Sequence, residues 1–320
     1  MIERHETFKA AGWLPQSRKK HVEWVNKLIT SVDGTKRELA VAGKTEVYRH
    51  EEVEEFSDLI EKDPVIRLLA EQMIQQAFAY DEKDPYGKPE ITSYRQMLRL
   101  IDKLMNTAPE YMPPDKEGRG LIGFPINAVL DWCMGTQAGY AFFLEKRVNK
   151  CLEKILKRWC KFLLSKESAR VLNDKENGWF CKSALDELKM GEYICDPDVQ
   201  HFGFKTRNDF FTRKVKPGER PVACPDDPDV IVSACESAPY RISENVQQDA
   251  QFWLKGQPYS LKYMLNEDAD YKEFIGGTVY QAFLSATRYH RWHSPVAGKI
   301  IRCYTVPGTY YAELNSYPYD

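Results

Sequence analysis

The 320-residue sequence has no run approaching the ~18 consecutive apolar residues that a membrane-spanning helix needs, and its start, MIERHETFKAAGWLPQSRKK, lacks the apolar stretch of a signal peptide. These absences predict a cytoplasmic protein. Neither sign of charge dominates, because 45 Lys and Arg face 47 Asp and Glu, so no overall field recruits nucleic acid or an anionic membrane. None of the eight cysteines stands in CxxC spacing, which argues against a zinc knuckle and for free thiols in a reducing compartment. The helical zinc signature HExxH is missing, as are repeats of fixed period, low-complexity tracts and any Gly-Ser dipeptide. Histidine is scarce, at six residues.

What is present suffices for a large core. Apolar residues make up 43% of the chain, aromatic residues 12% and charged residues 29%, the balance of an ordinary globular protein. The length predicts two domains, and the texture changes near residue 172. In KDPVIRLLAEQMIQQAFAY, Asp63 suits an N-cap, Pro64 the first helical position, and Val65, Leu69, Met73 and Ala77 form a stripe at helical spacing. In SYRQMLRLIDKLM, Ser93 and Gln96 have capping-box spacing ahead of a second stripe. After a Pro- and Gly-rich loop, another periodic stretch runs from about Ala128 to Leu164. Residues 1–172 therefore read as a helical domain. Residues 173–320 are turn-rich, with short β-branched or aromatic runs such as VIVSAC, GTVYQAFLSAT and GKIIRCYTV and a short helical SLKYMLN. The expected class is α+β, a helical N-terminal domain followed by a mainly antiparallel β domain.

Within the helical half, EKRVNKCLEKILKRWCKFLL carries Val148, Leu152, Ile155, Trp159 and Leu163 on one face and lysines over much of the rest. A basic amphipathic helix is able to lie on an anionic membrane. The plainer reading is a core helix whose lysines face water, and it is the one adopted.

Two of the six histidines fall in YHRWHSPVAG, as His290 and His293. On a regular strand, residues three apart point to opposite faces, so the pair shares a metal only if the backbone turns between them. With Glu236 as the one obvious third ligand, no metal site is expected. Two histidines on different faces suit two different tasks. The local pattern alone fits packing residues as well as chemical ones, and Trp292 between them reads as a core indole rather than the wall of an aromatic pocket.

Five blocks in order, FFTRKVKPGERPV (210–222), VSACES (232–237), KGQPYSLKYML (255–265), YHRWHSPVAG (289–298) and VPGTYYAEL (306–314), resemble the phosphatidylserine decarboxylase-like, pyruvoyl-dependent decarboxylases. The helical half is similar to the N-terminal extension of a fungal branch of that family. Within that branch, SACES together with YHRWH looks most like the L-tryptophan decarboxylases of psilocybin biosynthesis. The resemblance implies a proenzyme that cuts itself at a Gly-Ser bond, with the new N-terminal serine becoming a pyruvoyl group. It also implies His293 as the base of that step, Glu236 as the acid that orients it and His290 as the residue of decarboxylation. Glu236 and Ser237 stand where most members have Asp and Gly.

Because the 320 residues hold no Gly-Ser pair, the expected partner is a C-terminal, pyruvoyl-bearing chain of the same proenzyme. The expected reaction is decarboxylation of an L-amino acid, tryptophan or another aromatic one, to its primary amine. The alternatives are a phosphatidylserine decarboxylase, against which the missing membrane anchor counts, and a non-catalytic binding or scaffold member of the family.

Overall fold

The computed structural model describes residues 17–41, 48–79, 90–116, 118, 120–248, 252–254 and 257–312, with side chains left out at 33–41, 252–254 and 257–259. Residues 313–320, and with them the end of the VPGTYYAEL block, lie outside the described residues, as do Lys255 and Gly256. The class is α+β.

The N-terminal half consists of α1 (Arg18–Val41), α2 (Glu51–Lys62), α3 (Pro64–Ala79), α4 (Tyr94–Leu104), α5 (Pro125–Met134), α6 (Gln137–Leu144) and α7 (Lys146–Leu163). The expected caps form. Asp63 Oδ1 accepts the N–H groups of Val65 (2.9 Å) and Ile66 (3.0 Å), and Ser93 Oγ accepts that of Gln96 (3.2 Å). The return bond of the second box goes one residue further out, because Gln96 Oε1 accepts from the N–H of Thr92 (2.8 Å). The buried stripe of α3 is Ile66, Ala70, Met73, Ile74 and Ala77. Val65, expected to lead that stripe, is exposed, since the buried face begins one residue later. The periodic stretch from Ala128 is broken into three helices. Thr136 opens α6 by accepting the N–H of Gly139 (2.9 Å), and Glu145 caps α7.

On α7, Val148, Leu152, Ile155, Trp159 and Phe162 are buried against the rest of the bundle, and Lys154 pairs with Glu55 of α2. The apolar face that a membrane would need is spent on the protein's own core. Among the described residues no helix is long and apolar enough to cross a membrane.

One hydrophobic core runs from Val25 through Trp179, Phe180 and Phe210 and takes in Ala286 and Tyr289. Beyond residue 172 come α8 (Lys182–Leu188) and the single turn α9 (Arg207–Phe211), followed by β1 (Ala238–Ser243), β2 (Phe252–Leu254), β3 (Gln257–Tyr259), α10 (Leu261–Met264) and β4 (Val279–Phe283). β1 pairs antiparallel with β4, from Ala238 opposite Phe283 to Ser243 opposite Val279, and β2 pairs antiparallel with β3. The β1–β4 register slips between Pro239 and Arg241, where proline supplies no ladder donor. Val246, Leu261, Tyr271 and Val279 form a small second cluster behind this sheet.

The β half is less regular than its sequence suggests. VIVSAC and GKIIRCYTV, expected as strands, join no sheet among the described residues. Ile300 and Ile301 are 85% and 95% exposed, and their run has no ladder partner among the described residues.

Candidate active site

The β1–β4 ladder delivers the two distinctive blocks to one place. Glu236 lies just before β1, and the YHRWH segment follows β4 after a turn at Ser285–Arg288. Two backbone hydrogen bonds in antiparallel register then join the blocks directly, from Val232 N–H to Pro295 O and from His293 N–H to Ala234 O, both 2.9 Å. The segment is tied to the helical body as well. Arg213 donates from Nη2 to Thr287 O (2.9 Å), Thr287 Oγ1 donates to Glu187 of α8 (2.7 Å), and Arg291 Nε donates to Thr212 O (2.7 Å).

The two histidines occupy different surroundings. His290 stacks on Phe211 at the end of α9, with ring centroids 4.0 Å apart and planes 25° from parallel, and its Nε2–H donates to Ser285 O (3.0 Å). Burial, with the nearby Arg213 and Arg207 cations adding to it, pushes its pKa down from 6.5 to about 4, against the bond to Ser285. His290 is therefore neutral at pH 7, with Nδ1 the unprotonated nitrogen.

His293 is exposed. Its ring lies on that of Tyr289 (5.6 Å, 22°), and its Nε2 stands 3.1 Å from the Tyr289 hydroxyl.

Glu236, expected to orient His293, makes no hydrogen bond to it among the described residues. Its Oε2 accepts from Arg220 Nη1 (3.0 Å) and from the backbone N–H of Tyr289 (2.8 Å), and Arg288 stands 3.7 Å from Oε1. The link from acid to imidazole thus passes through Tyr289, which binds Glu236 with its main chain and His293 with its phenol. Arg220 closes the arrangement. It bonds Glu192 (2.7 and 2.9 Å) and the Tyr193 hydroxyl (3.0 Å) and lies over the Tyr289 ring at 5.6 Å. Burial pulls its pKa down, but the bonds to Glu192 and Glu236 outweigh that and raise it above the usual arginine value, so it is a fixed cation.

Tyr289 and Arg220 escaped the sequence reading, although both sit inside the quoted blocks. A tyrosine beside a histidine reads as packing until its hydroxyl is seen to face the ring. Trp292, expected in the core, is 83% exposed. No group of three potential metal ligands occurs among the described residues.

Comparison with known proteins covers both halves of the chain. Residues 50–188 and 207–318 each match a family model described as phosphatidylserine decarboxylase. Decarboxylase iboD of Amanita muscaria is 42% identical over 67% of this chain and 65% of its own length. The L-tryptophan decarboxylases of Psilocybe cubensis and Psilocybe cyanescens are 30% and 33% identical over 97% and 96% of this chain, and over 69% and 68% of their own lengths. The chain thus spans about two thirds of the length of these relatives. With caps, paired blocks and histidine cluster all falling inside the matched residues, the chain belongs to the phosphatidylserine decarboxylase-like family of decarboxylases.

Proposed function

We propose that this chain, together with a segment bearing a self-generated pyruvoyl group, removes the carboxyl group of a soluble L-amino acid and releases the primary amine. The observation that carries the proposal is the meeting of VSACES and YHRWH in one backbone-bonded cluster that holds Glu236, Tyr289, His290 and His293. The L-tryptophan decarboxylases among the relatives make tryptophan or another aromatic amino acid the first substrate to test.

The residues present fit such a group. His293 is exposed, and a few residues on, Ile300 and Ile301 are exposed in a run that joins no sheet among the described residues, a surface suited to a further strand of the same proenzyme. When Nε2–H of His293 donates to the Tyr289 oxygen, Nδ1 keeps its lone pair and can take the proton of an attacking serine hydroxyl. Glu236 holds the Tyr289 main chain, so it orients the base at one remove. A pyruvoyl group held beside His290 and the His293–Tyr289 pair would supply an electron-accepting ketone for the charge released as carbon dioxide leaves. His290, neutral and packed on Phe211, offers a low-dielectric wall beside the reacting centre. A carboxylate arriving there raises its proton affinity, which lets it carry a proton to the α-carbon.

The test uses the complete proenzyme, purified without pyridoxal phosphate. Mass spectrometry is expected to find two fragments, the smaller beginning with a pyruvoyl group, and hydroxylamine is expected to abolish amine release. His293→Ala should stay uncut. His290→Ala should cut normally and turn over roughly 10²- to 10⁴-fold more slowly. A single uncut polypeptide with full activity overturns the proposal, and turnover confined to phosphatidylserine vesicles replaces it with the phospholipid reaction. An uncut and inactive protein supports a scaffold instead.

A further inference from the structure

Arg207 is buried without an acid partner among the described residues. The residue is 4% exposed, and its guanidinium carbon lies over the rings of Trp179 (4.4 Å), Phe211 (5.1 Å) and Phe210 (5.3 Å). Its Nε is fully buried with no hydrogen-bond partner, and no Asp or Glu pairs with it among the described residues. The charge acting on it is a second cation, Arg213.

Arg213 is better provided for. It donates to Thr287 O and feels the opposing charge of Glu236. Burial and Arg213 together press the pKa of Arg207 down to about 9, which still leaves it charged at neutral pH. Aromatic faces offset part of the cost of burying that charge. They accept none of its in-plane N–H groups, so a buried guanidinium with no anion is a costly arrangement to keep. Arg207 also has a defined neighbour, because Phe211 touches it and stacks on His290. The unpaired cation therefore lies one side chain away from the histidine assigned to decarboxylation.

We propose that Arg207 binds a second negative charge on the substrate, so that the amino acid decarboxylated here has an anionic side chain, a carboxylate in the simplest case. This rests on the amino-acid decarboxylase reading above and moves its substrate class from plainly aromatic to acidic. The α-carboxylate itself is a poor occupant. An ion pair with a buried guanidinium stabilises the very charge that must vanish as carbon dioxide departs, and raises the barrier. A charge that persists through the reaction carries no such cost, and anchoring it helps to orient the α-carbon. The same chemistry has one other source, an Asp or Glu from elsewhere in the proenzyme, and the experiment separates the two.

Wild type, Arg207→Gln and Arg207→Lys of the complete, processed protein are compared with L-glutamate, L-aspartate, their neutral amides L-glutamine and L-asparagine, and L-tryptophan. Binding of glutarate, which cannot lose carbon dioxide by this route, is measured in parallel by calorimetry. An acidic amino acid is expected to exceed its own amide in kcat/KM by on the order of 10²-fold, the usual worth of a charge-assisted pair. Arg207→Gln should erase that preference mainly through KM, with Arg207→Lys in between, and should lower kcat/KM for the acidic substrates at least tenfold more than for the neutral ones. Glutarate should bind wild type and bind Arg207→Gln at least tenfold more weakly.

A protein that prefers tryptophan or the amides overturns the inference. So does an Arg207→Gln loss shared equally by all substrates, the mark of a structural pair with a protein carboxylate or of a seat for the α-carboxylate. Arg207-dependent glutarate binding in a protein that decarboxylates no amino acid would sustain the anion seat and sink the proposed reaction.

Discussion

Acid should destabilise this protein through His290, and the size of the effect follows from its surroundings. In the folded state its pKa is about 4, against 6.5 for an ordinary histidine. The unfolded chain therefore binds more protons than the folded one between those two values, and stability falls as pH drops through that window. It is fully retained above 6.5 and lost progressively towards 4. At 1.36 kcal/mol per pKa unit the full difference is roughly 3 kcal/mol, and partial solvent access reduces it to about 1–2 kcal/mol.

His290→Gln isolates this contribution, because an amide at that position can still donate to Ser285 O and does not titrate. Urea unfolding at pH 7.5, 6 and 5 should give the wild type a steeper loss of stability than the variant by about 1 kcal/mol. Carboxylates elsewhere titrate in both proteins and cancel in the difference. Identical pH slopes would show that His290 is not held neutral by its burial among Phe211, Arg207 and Arg213, and the account of its role as a neutral wall would fail with it.

Two further outcomes follow from the same contacts. Tyr289→Phe deletes only the hydroxyl that faces His293 and should slow self-cleavage of the complete proenzyme roughly 10-fold, with its pH profile displaced and its thermal midpoint little changed; an unaltered profile would remove Tyr289 from the positioning of the base. Asp102→Ala breaks a buried knot in which the carboxylate accepts the N–H groups of Arg49 and His50 and the His50 ring at 2.8 Å, and should cost about 3 kcal/mol in chemical denaturation, whereas a cost below 1 kcal/mol would show that water replaces it.

The elements that local sequence decides are the ones read from it. Asp63–Pro64 and Ser93 start α3 and α4 because a side-chain oxygen and the N–H two or three residues later are neighbours in any chain that turns there. The apolar face of α7 likewise declares a core helix, and the five blocks identify the family from residue order alone. Strands are a different matter. VIVSAC and GKIIRCYTV have strand composition, yet a strand exists only where another segment supplies a full ladder; VIVSAC finds two bonds to the YHRWHSP segment and GKIIRCYTV joins no sheet among the described residues.

The site's wiring was beyond local reading altogether. Glu236 and Tyr289 are 53 residues apart and Arg220 comes from a third block, so only the folded chain decides that the acid grips a backbone N–H while a phenol holds His293. Arg207 makes the point most plainly. Nothing in the sequence singles it out, and it becomes a buried charge with no acid partner among the described residues because Trp179, Phe210 and Phe211 close around it. Periodicity and caps are short-range physics that a sequence displays, whereas burial, charge pairing and proton affinity depend on which distant segments the core brings together.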